Sequence, residues 1–224
     1  MGDRNSVLFD SALEKADLTS KMREQYGKTA RQIHDRLPAA AKERFSQNVE
    51  SVHFHESPEV LTEKLKEANP KMTEVVGNKK AGGAYSKMRK ELMLNGGHTM
   101  DGKKYTADQI YAHEYSHAID GPDKELSSSS EWQQAWKAEA DKVSKYATKT
   151  PAEGFAEFGR LVYAGELGSD QLRERYPQMM AHWEQAGLLP DDMKQTGGTL
   201  AAEGTPQMPD VFEEPFATPE HLGD

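Results

Sequence analysis

Residues 106–122, TADQIYAHEYSHAIDGP, decide how the rest of the chain is read. Thr106 and Gln109 have the spacing of a capping box, a hydroxyl followed three residues later by an amide side chain, so a helix should start there. Asp120-Gly121-Pro122 should stop it, because glycine takes the conformation that ends a helix and proline cannot continue one. His113 and His117 then stand one turn apart on the same helix face, where two imidazoles can hold one zinc ion. Glu114, the next residue along, reaches a water at that ion. HExxH on a helix is the core of a water-activating peptidase site.

Two histidines are not enough, since a catalytic zinc usually takes three protein ligands and keeps one position open. The helix expected after Thr150 supplies the partner. Glu153 and Glu157 are four apart on it, so one can be a ligand and the other can accept the free N–H of a ligand histidine. A competing reading makes Glu153 the third residue of a capping box opened by Thr150, with no role beyond the helix end. The HExxH upstream favours the ligand. His34, His53, His55, His182 and His221 have no partner spacing, and His98, near enough to the motif to border the cleft, reads as a lone solvated loop histidine; all six are left out of the site.

Composition narrows the class. A chain of 224 residues that is 36% hydrophobic can build one compact domain with a real core. The net charge of −9 and the scattering of Lys and Arg among acids argue against nucleic acid as a partner. There is no cysteine, so disulfides, thiol catalysis and sulfur-ligated zinc are excluded and any metal must be held by His and carboxylate. No stretch approaches the roughly 20 apolar residues of a membrane span, and the first ten residues lack the apolar core of a secretory signal, so no membrane association is expected. The compartment stays open.

The chain before the motif reads as two or three amphipathic helices over residues 6–48, broken near Gly27 and Pro38. Val49 to His55 alternates like a short strand, with Val52 and Phe54 on one side, and Pro58 opens a helix through Ala68. Leu92 and Leu94 mark a strand or hairpin between the glycine pairs 82–83 and 96–97. Ala84 to Leu94 is a candidate sheet edge for an extended substrate, or equally an ordinary core strand. After the motif, Ser127 to Ser130 reads as a loop, then a helix from near Glu131 with Trp132 and Trp136 as core anchors. A further helical stretch spans Leu172 to Ala186 around Pro177. Residues 195–224 turn to Gly, Thr, Pro and acids and read as a disordered tail, inert or able to occupy the cleft.

HEYSHAID, a tyrosine, and then TPAEGFAEFGRLVYAG together resemble the catalytic domain of the anthrax lethal factor family and the related Pro-Pro endopeptidases, zinc peptidases of the gluzincin group. The likeness covers residues 106 to 165. It implies zinc ligands at His113, His117 and Glu153, a general base at Glu114, and at Tyr146, seven residues before Glu153, a tyrosine that stabilises the oxyanion. Glu157 matches the second acid of the E-x-F-A-E segment, which implies a supporting place behind a ligand, and Asp120 matches the acid of the H-A-[IV]-D run, which supports the site or ends the helix. Gly154 departs from the pattern, which has a bulkier residue there, so packing next to the third ligand should differ.

The expected fold is α+β, a mainly helical zincin-like metallopeptidase domain with a small mixed sheet beside the HExxH helix. Residues 1–50 would form its N-terminal helical part, 51–194 its catalytic core and 195–224 the tail. The expected function is zinc-dependent endopeptidase action on a protein or peptide substrate, by a monomer. The alternative is an inactive peptidase-fold protein that binds peptides or serves a toxin, which would leave a groove without turnover. A purely structural zinc site fits poorly, because such sites fill all four positions and favour sulfur.

Overall fold

A computed structural model describes residues 4–68, 81–100, 103–123 and 125–194. The tail at 195–224 lies outside the described residues. Three helices open the chain: α1 (Arg4–Lys15), α2 (Ser20–Arg36) and α3 (Ala39–Asn48). Thr19 caps α2 by accepting from the Met22 amide at 3.3 Å. Gly27 does not break this region as its sequence suggests. It sits inside α2, where a Cβ would stand 2.7 Å from Leu13 Cδ1, so a glycine lets α1 and α2 approach closely. The break falls at Leu37-Pro38 instead, as expected.

β1 (Ser51–His55) leads into α4 (Pro58–Ala68), and the hairpin of β2 (Gly83–Ser86) and β3 (Glu91–Asn95) follows. The three strands form a mixed sheet in the order β1-β3-β2, parallel between β1 and β3 and antiparallel between β2 and β3. Registers Val52↔Leu92 and Phe54↔Leu94 place four apolar side chains on one face, in the main core. Met93 and Ala84 face the other way and pack with Leu61 and Leu65 of α4, so β3 is covered on both sides. That double cover explains why β3 reads as a run of apolar residues and not as strict alternation. A second hairpin, β4 (Gly97–Met100) and β5 (Lys103–Thr106), had no counterpart in the sequence reading and runs straight into the next helix.

That helix, α5 (Ala107–Asp120), is the axis of the molecule. Its capping box is complete: the Gln109 amide donates to Thr106 Oγ1 at 3.4 Å and the Thr106 amide to Gln109 Oε1 at 3.0 Å. Gly121, at φ +84°, ends it. A polar loop leads to α6 (Ser130–Val143), and a short turn from there to α7 (Pro151–Tyr163), which has Pro at its first turn and Thr150 as N-cap. α5 packs most extensively on α7. At their crossing a Cβ on Gly159 would lie 1.9 Å from Ser116 Oγ, so the two backbones meet where neither helix carries a bulky side chain.

The stretch around Pro177 is two helices, α8 (Ser169–Arg175) and α9 (Pro177–Gln185), because proline suits the first turn of a new helix and not the interior of one. Buried Glu139 of α6 accepts from the Gln178 and Met179 amides at 3.0 and 2.9 Å and so caps α9 from a neighbouring helix. Trp132 is fully buried and donates from Nε1 to Pro151 O at 2.8 Å, tying α6 to the start of α7. Among the described residues no helix is long and apolar enough to cross a membrane.

Candidate active site

α5 contributes His113, Glu114 and His117, and α7 contributes Glu153, Glu157 and Arg160. Their close crossing brings the two sets together. His113 Nε2 and His117 Nε2 are 3.2 Å apart, and Glu153 Oε2 lies 3.2 Å from the second and 3.4 Å from the first. Among the described residues these three form the one group of side chains with converging metal-donor atoms. Glu153 also has its amide at the N-terminal end of α7, donating to Thr150 Oγ1 at 3.1 Å. The threonine does the capping, and the Glu153 carboxylate turns to the histidines.

Behind this group stands a buried ionic network. His113 Nδ1 is 3.0 Å from Glu157 Oε1, so when the ring is neutral, the form that can bind a metal, the ionised carboxylate accepts the Nδ1–H hydrogen bond and the Nε2 lone pair faces Glu153 and His117. Glu157 is itself saturated: Arg160 Nε donates to Oε1 at 3.2 Å, while Arg160 Nη2 and Ser144 Oγ donate to Oε2 at 3.3 and 2.8 Å. Arg160 reaches Glu166 with its remaining nitrogen. Burial would push the Glu157 carboxyl up, but the Arg160 charge and the His113 hydrogen bond outweigh it and bring it down to about 2. Glu153 is likewise held well below the usual carboxylate range, its burial offset by the two histidines. Burial would lower His113, yet its hydrogen bonds to Glu153 and Glu157 raise it to about 10. Two ionised carboxylates around two imidazoles make a pocket that attracts a cation.

Glu114 differs from both of these acids. It is fully buried, and neither carboxylate oxygen has a hydrogen-bond partner among the described residues. Burial lifts it to about 7, against the pull of His113 and His117. A buried carboxyl without a partner costs a domain several kcal/mol and points to a group kept for chemistry. Glycine at position 83 of β2 makes the space: a Cβ there would stand 2.6 Å from Glu114 Cγ and 2.9 Å from Oε1. Among the described residues β2 is one of the two edge strands of the sheet, so Glu114 lies directly against an edge strand.

Tyr146 sits on the turn between α6 and α7, buried, with its ring centroid 6.0 Å from that of His113. Lys149 places its Nζ 4.3 Å from the centre of the Tyr146 ring. Ala147, the residue after Tyr146, is held on both sides, with its amide donating to Ser144 Oγ at 2.9 Å and its carbonyl oxygen accepting from Trp136 Nε1 at 2.8 Å. The Trp136 ring covers Gly154, where a Cβ would come within 2.4 Å of Cδ1. The indole therefore takes the space next to the third candidate ligand. Asp120 uses its carboxylate on the loop after α5, accepting from Ser127 N at 2.8 Å and Ser127 Oγ at 2.6 Å.

Ser144, Arg160 and Gly83 belong to this site and were not singled out from the sequence. Arg160 had a signal, as the one cation of its helix, three residues after Glu157. Ser144 and Gly83 had none, since each acts through a neighbour distant in sequence.

A helix bearing two histidines, crossed by a second helix bearing a glutamate beside a small mixed sheet, is the zincin-like arrangement. The family model described as "Anthrax toxin lethal factor, N- and C-terminal domain" matches residues 13–186, and the chain belongs to that family. Among solved structures, the Pro-Pro endopeptidase PPEP-2 from Paenibacillus alvei superposes with a TM-score of 0.55 over 80% of this chain and 98% of that one. At 15% identity it shows a shared fold. No curated protein matches the chain.

Proposed function

We propose that the protein is a zinc-dependent endopeptidase. The observation that carries this reading is the spacing of the three donor atoms beside Glu114, which has no hydrogen-bond partner among the described residues. Donors about 2.0–2.1 Å from a tetrahedral ion stand about 3.3–3.4 Å from one another. Here the separations are 3.2, 3.2 and 3.4 Å, and the set is two nitrogens and one oxygen, the ligand chemistry of water-activating zinc sites. His113, His117 and Glu153 would hold the ion, with Glu157 fixing the His113 ring.

Zinc, when bound, polarises the scissile carbonyl and acidifies a water. Glu114, with no hydrogen-bond partner among the described residues and a carboxyl lifted by burial to about 7, takes the proton from the attacking water and returns it to the leaving amine. Tyr146 donates a hydrogen bond to the oxygen that becomes negative as the carbonyl is attacked. The β2 edge beside Glu114 binds the substrate as an added strand, which places a peptide bond over the site. Asp120 supports the site by fixing the end of the motif helix. The helices before residue 51 and the core to residue 194 act as one catalytic domain and as a monomer, which size-exclusion chromatography with light scattering checks.

The test is elemental analysis of purified wild type and Glu153→Ala, followed by a search of a quenched-fluorescence peptide library. Because the PPEP-2 fold relative is a Pro-Pro endopeptidase, peptides with a central Pro-Pro bond come first. About one zinc per chain, weakened in the variant, with cleavage lost in Glu114→Gln, is the expected result. No zinc after reconstitution, or no cleavage by the zinc-loaded protein across the library, would overturn it.

A further inference from the structure

We propose that Ser144 and Trp136 are positioning residues for Tyr146, and that Ser144 joins the tyrosine turn to the support of His113. The inference rests on the reading of Tyr146 as the oxyanion donor and extends it to the residues that aim the phenol. A hydrogen-bond donor for a developing charge is effective only where its position is fixed before the reaction, since a displacement of about 1 Å can cost about 100-fold in rate. Tyr146 lies on a turn, the element least able to fix a side chain by itself.

The turn is nonetheless clamped. Ser144 is buried, and its hydroxyl makes two bonds of opposite sense, donating to Glu157 Oε2 at 2.8 Å and accepting from the Ala147 amide at 2.9 Å. Tyr146 is one of the two residues enclosed by the second bond. From the other side Trp136 Nε1 donates to Ala147 O at 2.8 Å, so Ala147, the residue that follows Tyr146, is fixed at both its amide and its carbonyl. Glu157 is the carboxylate that orients His113. A continuous chain of hydrogen bonds thus runs from His113 Nδ1 through Glu157 and Ser144 to the backbone of the Tyr146 turn. Two groups that must stand at set distances from one scissile carbonyl, the histidine and the phenol, are referenced to the same carboxylate.

The test is a set of double-mutant cycles. Ser144→Ala and Trp136→Phe, each alone and each combined with Tyr146→Phe, are assayed on the peptide that wild type cleaves fastest. Each single variant should lower kcat about 10- to 100-fold with KM and zinc content unchanged, and neither should cost anything further in the Tyr146→Phe background. Amide hydrogen exchange should also quicken at Ala147 in Ser144→Ala, with that of α7 unchanged. Losses that multiply with Tyr146→Phe, a loss confined to zinc content or KM, or no loss at all would overturn the proposal. If Tyr146→Phe alone keeps full kcat, the oxyanion reading fails, while the zinc and Glu114 results still stand by themselves. Should Ser144→Ala not fold, Trp136→Phe decides the matter on the same terms.

Discussion

Gly83 and Glu114 are matched: the space a β-carbon would fill on the glycine is filled by the glutamate, whose Cγ would be 2.6 Å away. Gly83 has no positive φ, so its backbone accepts alanine without strain and the cost of a methyl group falls on Glu114. Gly83→Ala should therefore lower kcat about 10- to 100-fold by moving the carboxylate. Zinc content should stay at the wild-type value, as it should in Glu114→Gln, which loses turnover. Full activity in Gly83→Ala would show that Glu114 has freedom this packing denies it.

Glu157→Ala removes the acceptor of His113 Nδ1–H and one of the two carboxylates, Glu157 and Glu166, that Arg160 meets. Zinc affinity should fall about 10- to 100-fold, measured by competition with a chromophoric chelator. Losing one of the carboxylates around the buried Arg160 should also cost about 1–3 kcal/mol of stability in denaturant unfolding of the zinc-free protein. An affinity change without the stability change would mean that Arg160 is not held by Glu157.

Gly159→Ala drives a methyl group into Ser116 at the crossing of α5 and α7. Overpacking of this kind costs about 1–3 kcal/mol. Because the crossing sets the distance between the histidines and Glu153, zinc binding should weaken along with thermal stability. A variant that loses stability and keeps its zinc affinity would separate the crossing from the site.

His55 offers a pH dependence away from the site. Burial, helped by the charges of His53 and Lys64, lowers it to about 4 from a usual value near 6.5. The unfolded chain therefore binds a proton below about pH 6.5 that the folded chain refuses until about pH 4. The stability His55 contributes is present above that window and is lost as pH falls through it. Replacing it in His55→Gln should flatten stability against pH between 6.5 and 4, read as the difference from wild type by denaturant titration at each pH. Identical slopes would rule the residue out.

Local chemistry was legible in the sequence, and long-range fit was not. The α5 boundaries follow from Thr106, Gln109 and Gly121, residues that act within one or two turns of their own position. Spacing also pointed to His113, His117 and Glu153, because helical geometry turns sequence separation into direction. Gly27 was misread as a break because its reason is Leu13 on another helix. The β4 and β5 hairpin was missed because Gly96-Gly97 reads as an end. Gly96 in fact answers to the Tyr26 ring, which would lie 2.0 Å from a Cβ there. Ser144 stayed invisible for a similar reason, since a serine after a helix carries no mark of the carboxylate it will meet 13 residues later.

The Trp136 ring over Gly154 ties two positions on different helices into one shared volume. Any side chain grown at 154 must be matched by a smaller one at 136, so neither position can drift alone. Since that same indole anchors Ala147, a substitution at 154, which touches neither a donor atom nor the phenol, would still be felt at Tyr146. Position 154 is thus a place where selection can retune the setting of Tyr146 while leaving every chemical group beside His113 unchanged.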